Sequence, residues 1–205
     1  YVQQSIRRAM KDPVGRRDFA LAADGARIAP KLTSSFDNTS DARPPTNILD
    51  EDMRSASCWA FPDDHAQVSI KLHEFIYVTH ITIDHIPRDI ATNIQEAPHR
   101  IVLWGIVDGK GNQDRRKAAL ESLHMSPLSR LGDGPPVKAQ GTFLPLAAFD
   151  YDIDAQSHVQ TFPVDPAVIA SRIYFGAVVI EVKSNWGADF TKVYRVRIHG
   201  DVANT

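Results

Sequence analysis

Cysteine is nearly absent: among 205 residues only Cys58 carries a thiol. A single thiol closes no disulfide within the chain, and a zinc site built on several cysteines is excluded with it. Beside Trp59 and Phe61, Cys58 reads either as a small buried apolar residue or as a reactive thiol. Long apolar runs are missing as well. No stretch approaches the roughly eighteen residues that cross a bilayer as a helix, and the first residues lack a signal-peptide pattern. Charge of one sign is equally scarce: a formal net charge of -2 offers no face for nucleic acid or an anionic membrane. The start at Tyr1 suggests a piece of a longer, anchored protein, so that any membrane attachment lies in a segment outside this chain.

Enzyme signatures are also lacking. There is no nucleophile elbow, no histidine pair at metal-ligand spacing and no carboxylate pair whose proximity the sequence guarantees. His80 and His85 are five positions apart in a β-rich stretch, which sends them to opposite faces of a strand and gives each a structural role. Gly109, Gly111, Gly132 and Gly134 have neither the spacing nor the lysine-hydroxyl pair of a phosphate loop. On these grounds the chain is read as a non-enzyme.

What is present is alternation. Length and an ordinary apolar fraction support one sizeable core. Tyr1 to Lys11 has helical spacing (Val2, Ile6, Ala9, Met10) and is ended by Pro13 and Gly15. Such a short helix must pack on the domain or on copies of itself. Ala26 to Thr33 reads as a first strand, placed at an edge by Pro30. Ser34 to Asn47 is a polar loop holding the sequon Asn38-Thr39-Ser40. Asp50, Glu51 and Asp52 form either a cation-binding or a solvated acidic loop. Ala66 to Leu72 and Ile76 to Ile86 read as two strands, and in the second the apolar parity shifts between Val78 and Ile81, which implies a bulge or burial on both faces.

Pro87 to Pro98 is a loop and Arg100 to Val107 a central strand. Residues 108 to 141 read as an excursion from the core with a short helix from Arg116 to His124. Thr142 to Phe149 and His158 to Val164 are strands joined through Asp150, Asp152 and Asp154, read as a polar connection or a calcium loop. Ile173 to Lys183 and Lys192 to His199 close the fold around the turn Ser184-Asn185-Trp186-Gly187. In the last strand Tyr194, Val196 and Ile198 face one way and Arg195, Arg197 and His199 the other, the pattern of one buried and one wet face. About eight strands and almost no internal helix predict an all-β, jelly-roll-like β-sandwich with a short N-terminal helix.

Several blocks together resemble the SUN domain, the lumenal module of inner-nuclear-membrane proteins that bind KASH peptides. They are Asp18-Phe19-Ala20-Leu21 with Gly25-Ala26; Cys58-Trp59-Ala60-Phe61; the run Val78 to Arg88; Ala97-Pro98; Gln160-Thr161-Phe162; and Ser184-Asn185-Trp186-Gly187 with Tyr194 to Gly200. The resemblance implies a helical stalk end at residues 1–17 that trimerises the chain and a SUN-type domain at 18–201 with an insertion at about 108–141. It implies a lumenal, perinuclear tether that binds the C-terminal tail of an outer-nuclear-membrane KASH protein, with trimerisation supplying avidity, as a LINC-type bridge from nucleus to cytoskeleton.

The resemblance further implies a pocket for the tail's terminal carboxylate. His85 and Tyr194 stand where the family has a histidine and a tyrosine, and Phe190 where a second tyrosine is usual. Glu96 takes the place of a serine and would repel the carboxylate unless it points away. Asn185 and Trp186 would wall the groove. Lys192 stands where some members carry the disulfide partner of the Cys58 position, and Thr33 where a cysteine cross-links to the peptide, so covalent capture is excluded. The lid between Thr33 and Asn47 is short and proline-rich. The family's cation loop maps onto 47–57, with Asn47, Asp50, Asp52 and Ser57 as oxygen ligands. It implies potassium or sodium held largely by backbone carbonyls, with a divalent ion left open and no other cofactor required. The alternative reading is a carbohydrate- or lipid-headgroup-binding module that stacks its ligand on Trp104, Trp186 or Tyr151.

Overall fold

The computed structural model describes residues 15–35, 41–51, 57–137 and 141–204. The expected helix Tyr1 to Lys11, the sequon and Asp52 lie outside them. Among the described residues the chain is an antiparallel β-sandwich with few helices. Its strands are β1 (Arg27–Ile28), β2 (Trp59–Pro62), β3 (Ala66–Asp84), β4 (Arg100–Ile106), β5 (Phe143–Asp150), β6 (Val159–Pro163), β7 (Phe175–Val182), β8 (Phe190–Val193) and β9 (Arg195–Val202). Two helices accompany them, α1 (Lys110–Ser122) and α2 (Pro166–Ala170).

The long strand β3 organises the rest. Its first part pairs with β1 on one edge and β7 on the other; its second part pairs with β9 and β6. The two strands expected over this stretch are therefore one, 19 residues long. The polar residues His73 and Glu74 make no turn. They sit where the register with β7 shifts, between Lys71 and Ile76. The parity change expected after Val78 is a bulge, since the register with β9 shifts between Val78 and His80. The extra residue returns Ile81 and Ile83 to the core side occupied by Ile76 and Val78. Opposite the bulge, Gly200 lets the backbones close up: a Cβ there would lie 2.2 Å from the Tyr77 carbonyl oxygen.

Arg100–Ile106 is central, between β5 and β7, as its apolar run implies. The first strand is shorter than expected, because Pro30 opens a 3-10 turn at Pro30–Leu32. The insertion departs further from expectation. Its helix starts at Lys110 rather than Arg116, and Ala119, Leu123 and Leu128 join the main core. Buried Asn112 donates to the carbonyls of Asp108 and Tyr174, each at 3.0 Å, and Arg116 Nε donates to the Phe143 carbonyl at 2.8 Å. This segment is docked on the sandwich and is no excursion from it.

The last strand overturns a second expectation. Its polar face is dry: Arg195, Arg197 and His199 are 7%, 5% and 1% exposed. Arg195 pairs with Asp18 at 3.0 Å, and Arg197 pairs with Asp84. His199 Nδ1 donates to the Arg17 carbonyl at 2.8 Å, so its Nε2 accepts from the Thr82 hydroxyl at 2.8 Å, which accepts from Thr161 in turn. The segment entering the domain covers this face, with Phe19 N–H donating to the Ile198 carbonyl at 2.8 Å. The alternate aspartates have separate partners: Asp150 pairs with Arg100, Asp154 with Arg88, and Asp152 accepts the Asp154 N–H. That makes them a polar connection.

Candidate pocket between the two sheets

Strands β8 and β9 are consecutive but belong to different sheets. β8 pairs with β2 in a two-stranded sheet, β9 pairs with β3, and Tyr194 is the residue between them. The turn before β8 is held from inside. Asn185 Nδ2 donates to the Ala188 and Phe190 carbonyls at 2.7 and 3.1 Å, and its Oδ1 accepts the Gly187 N–H at 2.8 Å. Gly187 has φ +104°, a conformation that favours glycine. Trp186 Nε1 donates to the Tyr151 carbonyl at 3.0 Å, and its ring lies against His99 with centroids 4.2 Å apart. Asn185 and Trp186, expected to wall a groove, thus have their polar groups engaged within the fold and act by positioning β8. Phe190 is half-buried at the start of β8, opposite Pro62.

Where β3 ends, β8 turns into β9 and the loop 87–98 returns, a cavity of about 30 Å³ is lined by His85, Ile86, Ala91, Thr92, Asn93, Glu96, Lys192 and Tyr194. Three of the expected residues, His85, Glu96 and Tyr194, meet here. His85 is 2% and Tyr194 7% exposed, and their rings meet edge to face. Burial pushes the His85 imidazole down, so the ring is neutral. Its Nδ1 lies 3.0 Å from the Ile86 carbonyl and must donate to it, which leaves Nε2 as a buried acceptor without a partner. Burial pushes the Tyr194 phenol up to about 12, so it stays a neutral O–H donor at physiological pH.

Glu96 does not point away. It lies 2.6 Å from Lys192 Nζ, and the ion pair neutralises the repulsion expected of it. Lys192 is the residue that sequence reasoning missed as part of the site. The signal was available, since positions two apart on a strand share a face, and Lys192 and Tyr194 are two apart. Arg43 also escaped notice. It forms an isolated bridge with Ala60 at the outer edge of β2, with N–O distances of 2.9 and 3.3 Å, so the root of the short lid retains a strand contact. Cys58 packs with Ala60 and Tyr194, and burial pushes its thiol up, which favours the inert reading.

Residues 38–125 and 134–202 match the family described as Sad1 / UNC-like C-terminal. The chain belongs to that family. It is similar to SUN domain-containing protein 5 of Mus musculus, 30% identical over 216 residues, covering 98% of this chain and 48% of that protein. It is also similar to SUN domain-containing protein 2 of Mus musculus, 25% identical over 219 residues, covering 99% of this chain and 25% of that protein. The chain spans half or less of these relatives' lengths. Among solved structures, the family 32 carbohydrate-binding module from Streptococcus pneumoniae EndoD superposes with TM-score 0.58 at 12% identity, over 90% of this chain and 100% of that one. Allantoicase from Saccharomyces cerevisiae superposes with TM-score 0.51 at 15% identity, over 92% and 44%. A fold shared by a sugar-binding module and an allantoicase does not choose between binding and catalysis.

For a family member, the remaining expected residues divide. In the loop 47–57, Asn47 Nδ2 donates to the Cys58 carbonyl at 2.8 Å, which ties the two ends of the loop together. Asp50 is exposed and Ser57 half-buried, and both carry oxygen atoms of the kind a hard cation takes. Of the three stacking residues of the alternative reading, Trp186 is half-buried and the other two are no platforms. Trp104 and Tyr151 are buried, with Trp104 Nε1 donating to Glu181 at 2.8 Å and the Tyr151 hydroxyl to the His158 carbonyl at 2.8 Å.

Proposed function

We propose that the chain is the lumenal head of a nuclear-envelope tether and binds the C-terminal tail of a KASH protein without making or breaking a covalent bond. The observation that carries this reading is the junction cavity. In a SUN-family chain it combines a neutral phenol donor (Tyr194), a lysine ammonium (Lys192) and a buried imidazole acceptor (His85). A chain end needs these groups: its carboxylate takes donors, and its last amide N–H takes an acceptor. Burial of Trp104 and Tyr151 weighs against the sugar-stacking alternative.

The head sits in the perinuclear space, reached through a membrane segment outside this chain. It works as a homotrimer joined by the residues preceding the sandwich, so that three weak tail contacts act together. A potassium or sodium ion in the loop 47–57 orders the backbone next to β2, with a divalent ion as the other candidate. The test is fluorescence anisotropy of a labelled KASH tail against the chain fused to a trimerising coil, with the C-terminally amidated tail as control. Saturable binding of the free acid is expected, and no binding of either tail overturns the reading.

A further inference from the structure

The Glu96–Lys192 pair does more than cancel a charge. Both side chains are mounted on rigid supports. Glu96 ends the 3-10 turn Ile94–Glu96, whose entry is capped by the Asn93 side chain accepting the Gln95 N–H at 3.2 Å. That turn is tied to the β8 corner by the Trp186 N–H, which donates to the Gln95 carbonyl at 3.1 Å. Lys192 projects from β8, whose pairing with β2 fixes its position. The two side chains are 20% and 32% exposed, partly shielded from water and salt. Together with Tyr194 they line a cavity of about 30 Å³, room for roughly one or two waters and too little for a chain-terminal residue. The site therefore already holds one carboxylate on its ammonium.

We propose that Glu96 is a built-in occupant of this pocket, its carboxylate holding Lys192 where an incoming chain-terminal carboxylate would, so that Lys192 is the residue that recognises the free chain end. The proposal rests on the tail-binding reading above and names how that site chooses its ligand. A second carboxylate beside an intact pair meets the negative charge of Glu96, which is costly in a shielded place. If Lys192 instead exchanges Glu96 for the ligand, the ammonium stays paired throughout, and the partly exposed Glu96 carboxylate swings out to be solvated by water. An amidated chain end brings no charge to exchange and gains nothing from Lys192.

The experiment compares a synthetic KASH tail as free acid and as C-terminal amide on the trimerised chain and on Glu96→Gln, Glu96→Ser, Lys192→Gln and Lys192→Arg, with thermal melts confirming that each is folded. Removing the competitor in either Glu96 variant is expected to tighten the acid by about tenfold and leave the amide unchanged. Lys192→Gln is expected to erase the preference for acid over amide, and Lys192→Arg to keep it. If every variant binds both tails with the preference of the original chain, the exchange is wrong and tail binding stands. If neither tail binds the original chain or any variant, the tail-binding reading and the exchange both fall.

Discussion

The rings of His85 and Tyr194 meet edge to face with centroids 4.8 Å apart, joining the end of β3 to the residue at which the chain leaves one sheet for the other. Neither ring is placed by its own strand pairing. Each is held by the crossing of two strands, so the cavity exists only once both sheets have formed.

Tyr194→Phe keeps that ring contact and removes only the O–H. Stability is expected to change by less than about 1 kcal/mol, while affinity for a free-acid KASH tail falls by about tenfold. Calorimetry paired with anisotropy checks both halves. A variant that binds as well as the original removes Tyr194 from the site.

Arg197→Met tests the dry face of β9. A solvated arginine there would cost no more than about 0.5 kcal/mol on replacement, whereas removing the guanidinium paired with buried Asp84 costs about 3–5 kcal/mol. Urea denaturation distinguishes the two outcomes. A loss inside the smaller range would return this face to solvent.

Acidification weakens the fold through His199. Burial pushes its imidazole below the ordinary value of about 6.5 that it regains on unfolding. As pH falls below about 6.5 the unfolded chain takes up a proton that the folded chain refuses; the full stability present above that value is progressively lost. His199→Gln is expected to flatten the dependence of unfolding free energy on pH between 5 and 6.5 by up to about 1.4 kcal/mol per pH unit. Parallel curves for the two proteins would show that His199 takes no part.

A cation bound in the loop 47–57, as proposed, would stabilise the fold more the further its concentration exceeds its Kd. Melting in potassium or sodium chloride is expected to lie a few degrees above melting in choline chloride at equal ionic strength, and Asp50→Asn to narrow the gap. A calcium titration decides between a monovalent and a divalent site. Equal melting temperatures in all salts would remove the ion from the account.

Much of this molecule was readable before any coordinates. The parity break after Val78 announced either a bulge or burial on both faces, and the register shift between Val78 and His80 decided for the bulge. The unbroken apolar run of Arg100 to Val107 announced a strand with neighbours on both edges. His85, Glu96 and Tyr194 came from the family resemblance, and the fold brings them to one cavity.

Other features resisted for a shared reason. Arg195 and Asp18 are 177 positions apart, so the alternation of β9 said only that one face was polar. Water and a distant carboxylate are equally good partners for arginine in that pattern. The docking of the helix Lys110–Ser122 likewise depends on Asn112 finding the carbonyl of Tyr174, 62 positions away, beside that of Asp108 at the head of its own segment. Lys192 was legible as a strand residue and illegible as the mate of Glu96.

Strand phase, edge and centre, and the family to which the chain belongs were determined by local order along the sequence, since backbone geometry alone sets the period of a strand. Which polar groups lie in water, and which ammonium already holds a carboxylate, was decided only by tertiary structure. Desolvation and charge pairing depend on what is near in space, and no local period encodes that.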